Sequence, residues 1–264
     1  MTLEDKTIET SIEKKEKMLR DWFTQGKDPV TKIIDGLDIG WGGVQRWATG
    51  QMPSLEGLHL DIACGYATFL AQLGWRFPNT IFVGLNIDFA GPHRLAKNLL
   101  EVAQVQVVLV QADARHMPFH DKAFTSASCF LGLQDIQIGF KEDWVKKTLA
   151  EAARVLHQGG HLTLLDEFPI SRFIDLLSDL PIEVIDQAER TLDIRWGPEV
   201  AERAIKLYAE GWVAQIRSKH EYEKKKAYDE RYKAMQLDME QQFNKKGHYV
   251  PFGPIRMIVA RKKP

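Results

Sequence analysis

The segment from Leu58 to Asp88 places two buried strands around a helix, and no other feature limits the possible fold as strongly. The first strand, at about 57–63, leads into a loop of small residues around Gly65, and the second, at 80–87, contains Asn86 near its end. This order predicts a βαβ unit, which brings the carboxyl ends of two parallel strands to one edge of a sheet. Nucleoside-containing ligands bind at that edge, because a glycine lets the backbone approach the ligand and a polar residue can bind ribose hydroxyls.

The alternation of strands and helices continues after this unit. Further strands are predicted at 105–112, 124–131 and 161–167, and a helix over Glu142–Leu156 is expected to stop at Gly159-Gly160. The strand at 105–112 is a nearly continuous run of Val and Leu, which is typical of a strand covered on both faces. Five strands connected in this way predict a parallel sheet with right-handed crossovers.

The rest of the chain is expected to be mostly helical. Helices are predicted at 9–24, 44–49, 68–77, 171–177 and 198–245, and at 88–102, where Asp88 is the expected N-cap. A sixth strand is expected within Ile182–Ile194. The extended run Pro254–Ala260 predicts a last strand whose proline stands at the start, where a strand tolerates it.

Composition and charge narrow the classes of function. The 264 residues, 44% of them hydrophobic, suffice for one α/β domain with an added subdomain. The formal charge of -1 gives no overall electrostatic attraction to nucleic acid or to an anionic membrane. No stretch reaches the roughly 18 apolar residues of a membrane span. Cys64 and Cys129 are the only cysteines and offer neither a disulfide framework nor a metal-binding spacing. A reduced, cytoplasmic protein without a metal site is therefore expected.

Four sequence segments carry a family resemblance. They are Leu60-Asp61-Ile62-Ala63-Cys64-Gly65-Tyr66-Ala67, Val83-Gly84-Leu85-Asn86-Ile87-Asp88, Ala112-Asp113-Ala114-Arg115-His116-Met117-Pro118-Phe119 and Arg154-Val155-Leu156-His157-Gln158-Gly159-Gly160-His161-Leu162. With these segments in the right order and spacing, the chain resembles the class I S-adenosylmethionine (SAM)-dependent methyltransferases. The resemblance is strongest to the small-molecule group that includes quinone-biosynthesis C-methyltransferases, and it covers about residues 55–168 and the final strand.

The resemblance implies an α/β fold with a Rossmann-like open sheet of about seven strands. Most strands would be parallel, the last would run antiparallel between strands five and six, and helices would cover both faces, with an added helical cap. The implied division is an N-terminal helical cap segment at 1–54, a SAM-binding core at 55–195, a helical insertion or lid at 196–246 and the final core strand at 247–264.

The resemblance also implies a cofactor, SAM, and the residues that would bind it. Asp61 would reach the ammonium group, Asn86 the ribose, and Asp113 the adenine amino group, with the Ala114 amide near a ring nitrogen. The backbone of the loop after Asp61 would pass beneath the methionine part. The complete set of expected cofactor contacts is Asp61, Ala63, Cys64, Gly65, Asn86, Ile87, Asp113, Ala114 and Phe130.

Four residues depart from the family pattern, one of them Gln158, which stands where a proline is common. Asn86 stands where an acidic residue usually binds both ribose hydroxyls, Ala67 replaces a glycine, and Thr125 replaces an aspartate that often starts strand four. Asn keeps one acceptor but loses the charge, so a lower cofactor affinity is expected. These departures leave an alternative open, namely a catalytically divergent domain that binds SAM or its product as a binding or assembly module.

The expected reaction is transfer of a methyl group from SAM to a small-molecule acceptor, and the catalytic residue is unknown. Candidate bases follow strands four and five or precede the last strand: Gln134, Asp135, Asp166, Glu167, His248 and Tyr249. A nicotinamide-dependent oxidoreductase is disfavoured because the Gly-x-Gly-x-x-Gly turn is absent, and the near-neutral charge weighs against nucleic-acid substrates. The helical region at 196–246 is expected to lie over the sheet or to form a homodimer.

Overall fold

The computed structural model describes residues 3–35, 43–87, 92–140, 142–214 and 221–264. Its strands are β1 Leu58–Ile62, β2 Ile81–Asn86, β3 Val107–Gln111, β4 Phe124–Phe130, β5 Leu156–Asp166, β6 Ile182–Arg190 and β7 Ile255–Lys262. Its helices are α1 Leu3–Phe23, α2 Pro29–Asp35, α3 Gly43–Gln51, α4 Thr68–Arg76, α5 Pro92–Ala103, α6 Gly132–Phe140, α7 Glu142–Val155, α8 Ile170–Leu177, α9 Pro198–Ala214 and α10 Glu221–Lys246.

The seven described strands form one sheet in the order β3-β2-β1-β4-β5-β7-β6. Strands β1 to β5 pair in parallel, and β7 pairs antiparallel with both β5 and β6. The strand order reverses between β1 and β4, and open α/β sheets bind their ligands at such a switch point, beyond the carboxyl ends of the strands. The predicted Rossmann-like sheet, with an antiparallel last strand between strands five and six, is confirmed.

Strand β3 lies at the edge of the sheet. Its residues are only partly covered, and Val108 is 57% exposed. The prediction that this Val/Leu run is covered on both faces is therefore wrong. An apolar run shows which residues favour burial, but it does not show how much neighbouring structure the fold supplies at an edge.

Strand β5 begins earlier than the sequence predicts. Helix α7 ends at Val155, and β5 starts at Leu156 and includes the glycine pair that was expected to stop the helix. The pairing shifts between Leu156, opposite Phe124, and His161, opposite Ser126. Because Gly159 takes a left-handed φ of 74° in this stretch, the glycine pair forms an irregularity within the strand and not a helix end.

Three helical segments also differ from the sequence predictions. The long region predicted at 198–245 is two helices, α9 and α10. Helix α2 begins at Pro29, since the fixed φ of proline suits the first turn of a helix, and α6 occupies a segment for which no helix is predicted. The expected N-cap Asp88 lies outside the described residues.

The hydrophobic core lies on both faces of the sheet. On one face α6, α7 and α8 contribute Leu133, Leu149 and Phe173, all fully buried. On the other face α3, α4 and α5 contribute side chains such as Ala48 and Leu70. The helices therefore cover the two faces of the sheet, while the carboxyl ends of its parallel strands continue into loops.

Helix α1 is held to this core by charged side chains. Glu16 is 4% exposed, and its carboxylate accepts hydrogen bonds from Arg46 Nη1 at 2.6 Å and from Gln72 Nε2 at 2.9 Å. Burial raises the pKa of Glu16, and the charge of Arg46 opposes that rise. At the end of α1, the ring of Phe23 lies 6.2 Å from the ring of Tyr66 in the loop after β1.

The chain divides into two compact units. The sheet unit comprises residues 1–25, 37–190 and 254–264, and the helical unit comprises residues 26–36 and 191–253. Within the helical unit, α9 packs against α2 and α10, and Trp196 and Tyr249 exchange backbone hydrogen bonds of 2.9 and 3.0 Å. In neither unit does a described helix combine the length and the apolar character that crossing a membrane requires.

Candidate functional site

The loop after β1 contains three residues with a left-handed backbone conformation. Ala63, Gly65 and Ala67 have φ angles of 57°, 50° and 63°. Glycine adopts such angles freely, whereas a residue with a Cβ atom is strained by about 1 kcal/mol. The two alanines therefore occupy positions that favour glycine, so the surrounding structure must hold the loop in place.

Backbone hydrogen bonds hold this loop in place. The Cys64 amide donates to the Leu85 carbonyl at 3.0 Å, and the Ala67 amide donates to the Cys64 carbonyl at 2.7 Å. Ala67 is fully buried, and its carbonyl accepts a bond from the Ala71 amide at 3.0 Å. The chain thus turns sharply from β1 into α4, beside the end of β2.

A cleft lies beside this loop at the carboxyl ends of β1, β2 and β3. It encloses about 370 Å³, part of which is open to solvent. Five of the nine residues predicted to bind SAM line it: Ala63, Asn86, Ile87, Asp113 and Ala114. The other lining residues are Leu85, Ala112, Arg115, Ile136, Trp144 and Thr148. The cleft thus joins several separate segments at the edge where α/β sheets bind ligands.

Asn86 ends β2 with its side chain directed at neighbouring backbone. Its Oδ1 accepts a hydrogen bond from the Ile87 amide at 2.9 Å, and its Nδ2 lies 3.5 Å from the Gly65 carbonyl oxygen. Gln111 Nε2 donates to the Ile87 carbonyl at 3.2 Å. These bonds tie the end of β2 to the loop after β1 and to the end of β3, so the Asn86 amide is fixed in the lining of the cleft.

Asp113 follows β3 and is bound by Arg115. Its Oδ1 accepts the Arg115 amide at 2.9 Å, and its two carboxylate oxygens accept the guanidinium at distances from 2.5 to 3.1 Å. The Arg115 side chain lowers the pKa of Asp113, which keeps this carboxylate ionised. The guanidinium carbon also lies 3.1 Å from the centroid of the Trp144 ring. A ligand amino group must therefore share the Asp113 carboxylate with Arg115.

The lining of the cleft also contains a buried hydroxyl group. Thr148 is 1% exposed, and its Oγ1 has no hydrogen-bond partner within the described part of the chain. An unpaired buried hydroxyl costs about 1–3 kcal/mol. This orphaned atom fits a ligand that brings its own hydrogen-bonding groups into the cleft, as the adenine ring of SAM does.

Asp61 is the most deeply buried of the predicted ligands, with 1% of its surface exposed, and it does not line the cleft. Its carboxylate accepts a hydrogen bond from Ser128 Oγ at 2.7 Å. Burial raises the pKa of Asp61 to about 7, although the bond from Ser128 opposes that rise. A neighbouring cation such as a ligand ammonium group would stabilise the ionised form of this carboxyl.

The three other predicted contacts also lie outside the lining of the cleft. Cys64 is half-buried, and burial and the charge of Asp61 raise the pKa of its thiol, which therefore stays protonated. Phe130 stacks on Phe69 with ring centroids 4.8 Å apart. The carbonyl group of Gly65 faces the Asn86 side-chain amide, and its oxygen lies 3.5 Å from Asn86 Nδ2.

A second polar group lies at the carboxyl ends of β4 and β5. Asp166 is fully buried and accepts hydrogen bonds from the amides of Gln134 at 3.0 Å and Glu167 at 2.9 Å. Burial raises its pKa to about 7. Asp135, in the first turn of α6, keeps an exposed side chain, yet the protein around its carboxyl removes enough water to raise its pKa to about 6. Asp135 is thus the acid of this group that solvent or a substrate can reach.

The two candidate bases before the last strand lie in the helical unit. Tyr249 is 3% exposed, and burial raises the pKa of its phenol. His248 Nδ1 lies 3.0 Å from the Lys246 carbonyl oxygen. Both residues therefore make contacts within their own unit.

Sequence reasoning missed Arg115, Trp144 and Thr148 as residues of the cleft. Trp144 and Thr148 stand four residues apart on α7 and so share one face of that helix. Their spacing is visible in the sequence, but it does not say which element that face meets. Arg115 stands within one of the recognised motifs, where only Asp113 and Ala114 were singled out.

Known proteins with similar sequences and folds indicate which family this chain resembles. A family model described as a methyltransferase domain matches residues 60–164. A demethylmenaquinone methyltransferase from Thermus thermophilus is 35% identical over 111 residues, which cover 42% of this chain and 46% of that protein. A 2-phytyl-1,4-naphtoquinone methyltransferase from Nostoc punctiforme is 26% identical over 175 residues, covering 63% of this chain and 65% of that protein. The chain thus spans between about half and two thirds of these relatives.

The fold has solved counterparts as well. The crystal structure of a protein described as a methyltransferase from Bacillus halodurans matches with a TM-score of 0.56 at 18% identity, covering 84% of this chain and 98% of that one. Residues 60–164 thus match the methyltransferase-domain model, and the Rossmann-like sheet that contains them has the same fold as this solved structure. The predicted resemblance to the quinone-biosynthesis type is confirmed for this region.

Proposed function

We propose that the protein transfers a methyl group from SAM to a small-molecule acceptor. The observation that carries this proposal is the cleft beside the loop after β1, which combines Asn86, Asp113 and the orphaned Thr148 hydroxyl. An adenosine group offers ribose hydroxyls, an exocyclic amino group and ring nitrogens, and each needs a polar partner when it is buried. The match between these needs and the residues of the cleft supports SAM as the ligand.

The residues of this chain have separate tasks in that proposal. When bound, SAM supplies a methyl group on a positively charged sulfur, which is already a good electrophile. Asp61 would bind the ammonium group, Asn86 the ribose, and Asp113 together with Thr148 the adenine ring. The other proposed contacts are Ala63, Cys64, Gly65, Ile87, Ala114 and Phe130. Holding the two reactants in alignment can itself supply several kcal/mol of the barrier reduction.

The acceptor is proposed to be a partly apolar quinol. The support comes from the two relatives named for quinone substrates, demethylmenaquinone and 2-phytyl-1,4-naphtoquinone. Methylation of a quinol oxygen releases the hydroxyl proton, and methylation of a ring carbon releases the proton of that carbon. Asp135 is the proposed acceptor of the released proton. Helix α6 starts against the loop after β1, since a Cβ atom at Gly132 would lie 2.7 Å from the Ala63 Cβ. Asp135 stands in the first turn of this helix.

Titration calorimetry with SAM and with its demethylated product tests the proposal, followed by mass spectrometry of reactions with naphthoquinols, benzoquinols and tRNA. Binding and methylation of a quinol are the expected results. If neither compound binds at about millimolar concentration, the proposal is rejected. Tight binding without methyl transfer to any acceptor would favour the binding or assembly module instead.

Replacing Thr148 with Val tests the adenine end of the cleft. The variant should bind SAM about 5–10-fold more weakly, because the hydroxyl that would pair with the ligand is lost. The ligand-free protein should become more stable by about 1 kcal/mol, because an unpaired buried hydroxyl is removed. Calorimetry and urea unfolding measure the two effects.

Thr80→Val is the matched control, because Thr80 Oγ1 donates to the Leu55 carbonyl at 2.8 Å outside the cleft. This variant should lose about 1 kcal/mol of stability and keep its affinity for SAM. An unchanged SAM affinity in Thr148→Val would show that the Thr148 hydroxyl does not contact the ligand.

We further propose that the protein acts in the cytoplasm as a homodimer formed through 196–246, with 1–54 as a cap on the core. The absence of nucleic-acid substrates belongs to the same proposal, supported by a net charge of -1. Sedimentation of the full chain tests the dimer. The unsubstituted protein is compared with a variant in which charged residues replace contacts within 196–246. A monomer at all concentrations would contradict it.

A further inference from the structure

A continuous chain of hydrogen bonds crosses the buried centre of the sheet. Ser126 Oγ lies 2.8 Å from His59 Nδ1, and His59 Nε2 lies 2.9 Å from Ser128 Oγ, which donates to Asp61 Oδ1 at 2.7 Å. The four side chains are between 0% and 4% exposed. Because β1 and β4 pair with His59 opposite Ser126 and Asp61 opposite Ser128, all four lie on one face of the sheet.

The chemistry of these groups allows the chain two arrangements. Each serine hydroxyl has one hydrogen to donate, and a neutral imidazole donates from one nitrogen and accepts at the other. When Asp61 is ionised, Ser128 donates to Asp61, His59 Nε2–H donates to Ser128, and Ser126 donates to His59 Nδ1. When Asp61 is protonated, every donor and acceptor exchanges roles, and the hydrogen of His59 is on Nδ1.

The surroundings keep the imidazole neutral in both arrangements. Burial lowers the pKa of His59 to about 3. On the β2 side, the ring of Phe82 packs edge-on against His59 with centroids 5.7 Å apart. Among the described residues, the thiols of Cys64 and Cys129 lie within the electrostatic influence of Asp61, and burial together with the charge of Asp61 raises the pKa of each thiol. Neither thiol therefore adds a charge beside the chain at neutral pH.

The far end of the chain reaches the opposite edge of the sheet. Ser126 lines an open depression together with Glu56, Thr125 and His161, near the amino end of β1. On β5, His161 lies opposite Ser126, and burial and the charge of Arg261 lower the pKa of His161. The hydrogen-bonded chain therefore connects a carboxyl beside the loop after β1 with solvent at the opposite edge of the sheet.

We propose that this chain is a proton relay, in which Ser128 and His59 are positioning residues that carry the proton of Asp61 across the sheet. When Asp61 ionises, its O–H bond breaks and Ser128 takes that proton while passing its own to His59 Nε2. His59 gives its Nδ1 proton to Ser126, and Ser126 releases one proton to water in the depression. No charge remains on serine or histidine, and His59 has changed tautomer.

The relay gives Asp61 a route to ionisation that does not pass through the ligand cleft. A ligand ammonium group then meets an ionised Asp61 even when the bound ligand blocks the path from Asp61 to solvent through the cleft. This consequence rests on the proposed function, whereas the coupling between Asp61 and the His59 tautomer does not.

The test is nitrogen NMR of the full chain labelled with ¹⁵N in its histidine rings, from about pH 5.5 to about pH 8.5 without ligand. The His59 signals are expected to change from the Nδ1–H pattern to the Nε2–H pattern as the pH rises through the region where Asp61 ionises, and to show no imidazolium pattern. A single tautomer over the whole range, or protonation of the ring to imidazolium, would overturn the relay.

A second measurement uses SAM itself at about pH 6, where Asp61 is mostly protonated. Addition of SAM should move His59 to the Nε2–H form, and calorimetry in buffers of different ionisation enthalpy should show release of about one proton per bound ligand. If SAM binds and the tautomer does not change, the relay is wrong. If SAM does not bind, the proposed function fails, and the titration without ligand still decides the relay.

Ser128→Ala removes the central link, and Ser128→Thr keeps the hydroxyl. The alanine variant should show one His59 tautomer at every pH, whereas the threonine variant should retain the exchange. An exchange in Ser128→Ala equal to that of the unsubstituted protein would refute the role of Ser128. The titration of the unsubstituted chain gives an answer even if one variant fails to fold.

Discussion

Replacing Asp61 with Asn is expected to weaken SAM binding by a factor on the order of 100. The carboxyl is 1% exposed, so its charge acts on a neighbouring cation with little screening by water. Asn keeps the shape and can still accept the hydrogen bond from Ser128, but it carries no charge. The loss of affinity is therefore electrostatic, and calorimetry with SAM measures it directly.

The same substitution should make the ligand-free protein more stable at alkaline pH. The pKa of Asp61 is about 7 in the folded chain, against an ordinary value of 3.8 for an aspartate in water. Between these values the folded state binds more protons than the unfolded state, so the free energy of unfolding falls as the pH rises. Asn removes this dependence and should raise the free energy of unfolding by about 2–4 kcal/mol at about pH 8, with the gain shrinking toward pH 4.

Urea unfolding of both proteins at several pH values measures this gain. Asp121→Asn is the matched control, since Asp121 is a mostly exposed partner of Arg154 away from the cleft. That control should leave SAM affinity unchanged and should not stabilise the protein. An Asp61→Asn protein that binds SAM as well as the unsubstituted chain would remove Asp61 from the proposed site.

Gly132→Ala is expected to destabilise the protein by about 2–3 kcal/mol. A Cβ atom at residue 132 would lie 2.7 Å from the Ala63 Cβ and 2.9 Å from the Cys129 Sγ. Real Cβ atoms do not approach other atoms so closely, and Ala63 is already held in a strained left-handed conformation with a φ of 57°. The added methyl group must therefore displace either the loop after β1 or the start of α6.

The double variant Ala63→Gly with Gly132→Ala should recover part of that loss. Its free energy of unfolding should be about 1 kcal/mol higher than the sum of the two single effects predicts. Glycine at residue 63 removes one of the two close contacts and relaxes the left-handed backbone. Urea unfolding of the four proteins in the cycle measures the coupling. Gly211→Ala is the control, because a Cβ there meets nothing within 4 Å, and it should stabilise α9 slightly. A Gly132→Ala protein as stable as this control would contradict the packing argument.

The parallel sheet of the first five strands could be predicted from the sequence because its evidence is local and repeated. Apolar runs, turns and the four motif segments each mark a strand end, and their order fixes the parallel sheet. The placement of Ile255–Lys262 between β5 and β6 came from the family resemblance and not from residue patterns, since pairing over such a distance has no local signal. The exposure of Val108 was misjudged for a related reason, because an edge position is a property of the whole sheet.

The candidate site was predictable only where a motif names its residues. Asn86 and Asp113 were found from the family resemblance, and they stand at the end of β2 and just after β3. Thr148 faces the cleft because of how α7 packs, and no motif in the sequence shows that packing. The relay had a faint signal, because His59 interrupts an apolar strand and Ser126 and Ser128 alternate along β4. Period-two spacing places two serines on one face, but only the paired strands show that His59 lies between them.

The antiparallel strand β7 has a consequence for how the chain is made. In the described sheet β6 pairs only with β7, and residues 191–254 separate the two strands. While a ribosome is still producing that stretch, β6 has left the exit tunnel without a partner, and its main-chain groups are open to any other strand nearby. Newly made chains should therefore depend most on chaperones in the interval between completion of β6 and arrival of β7.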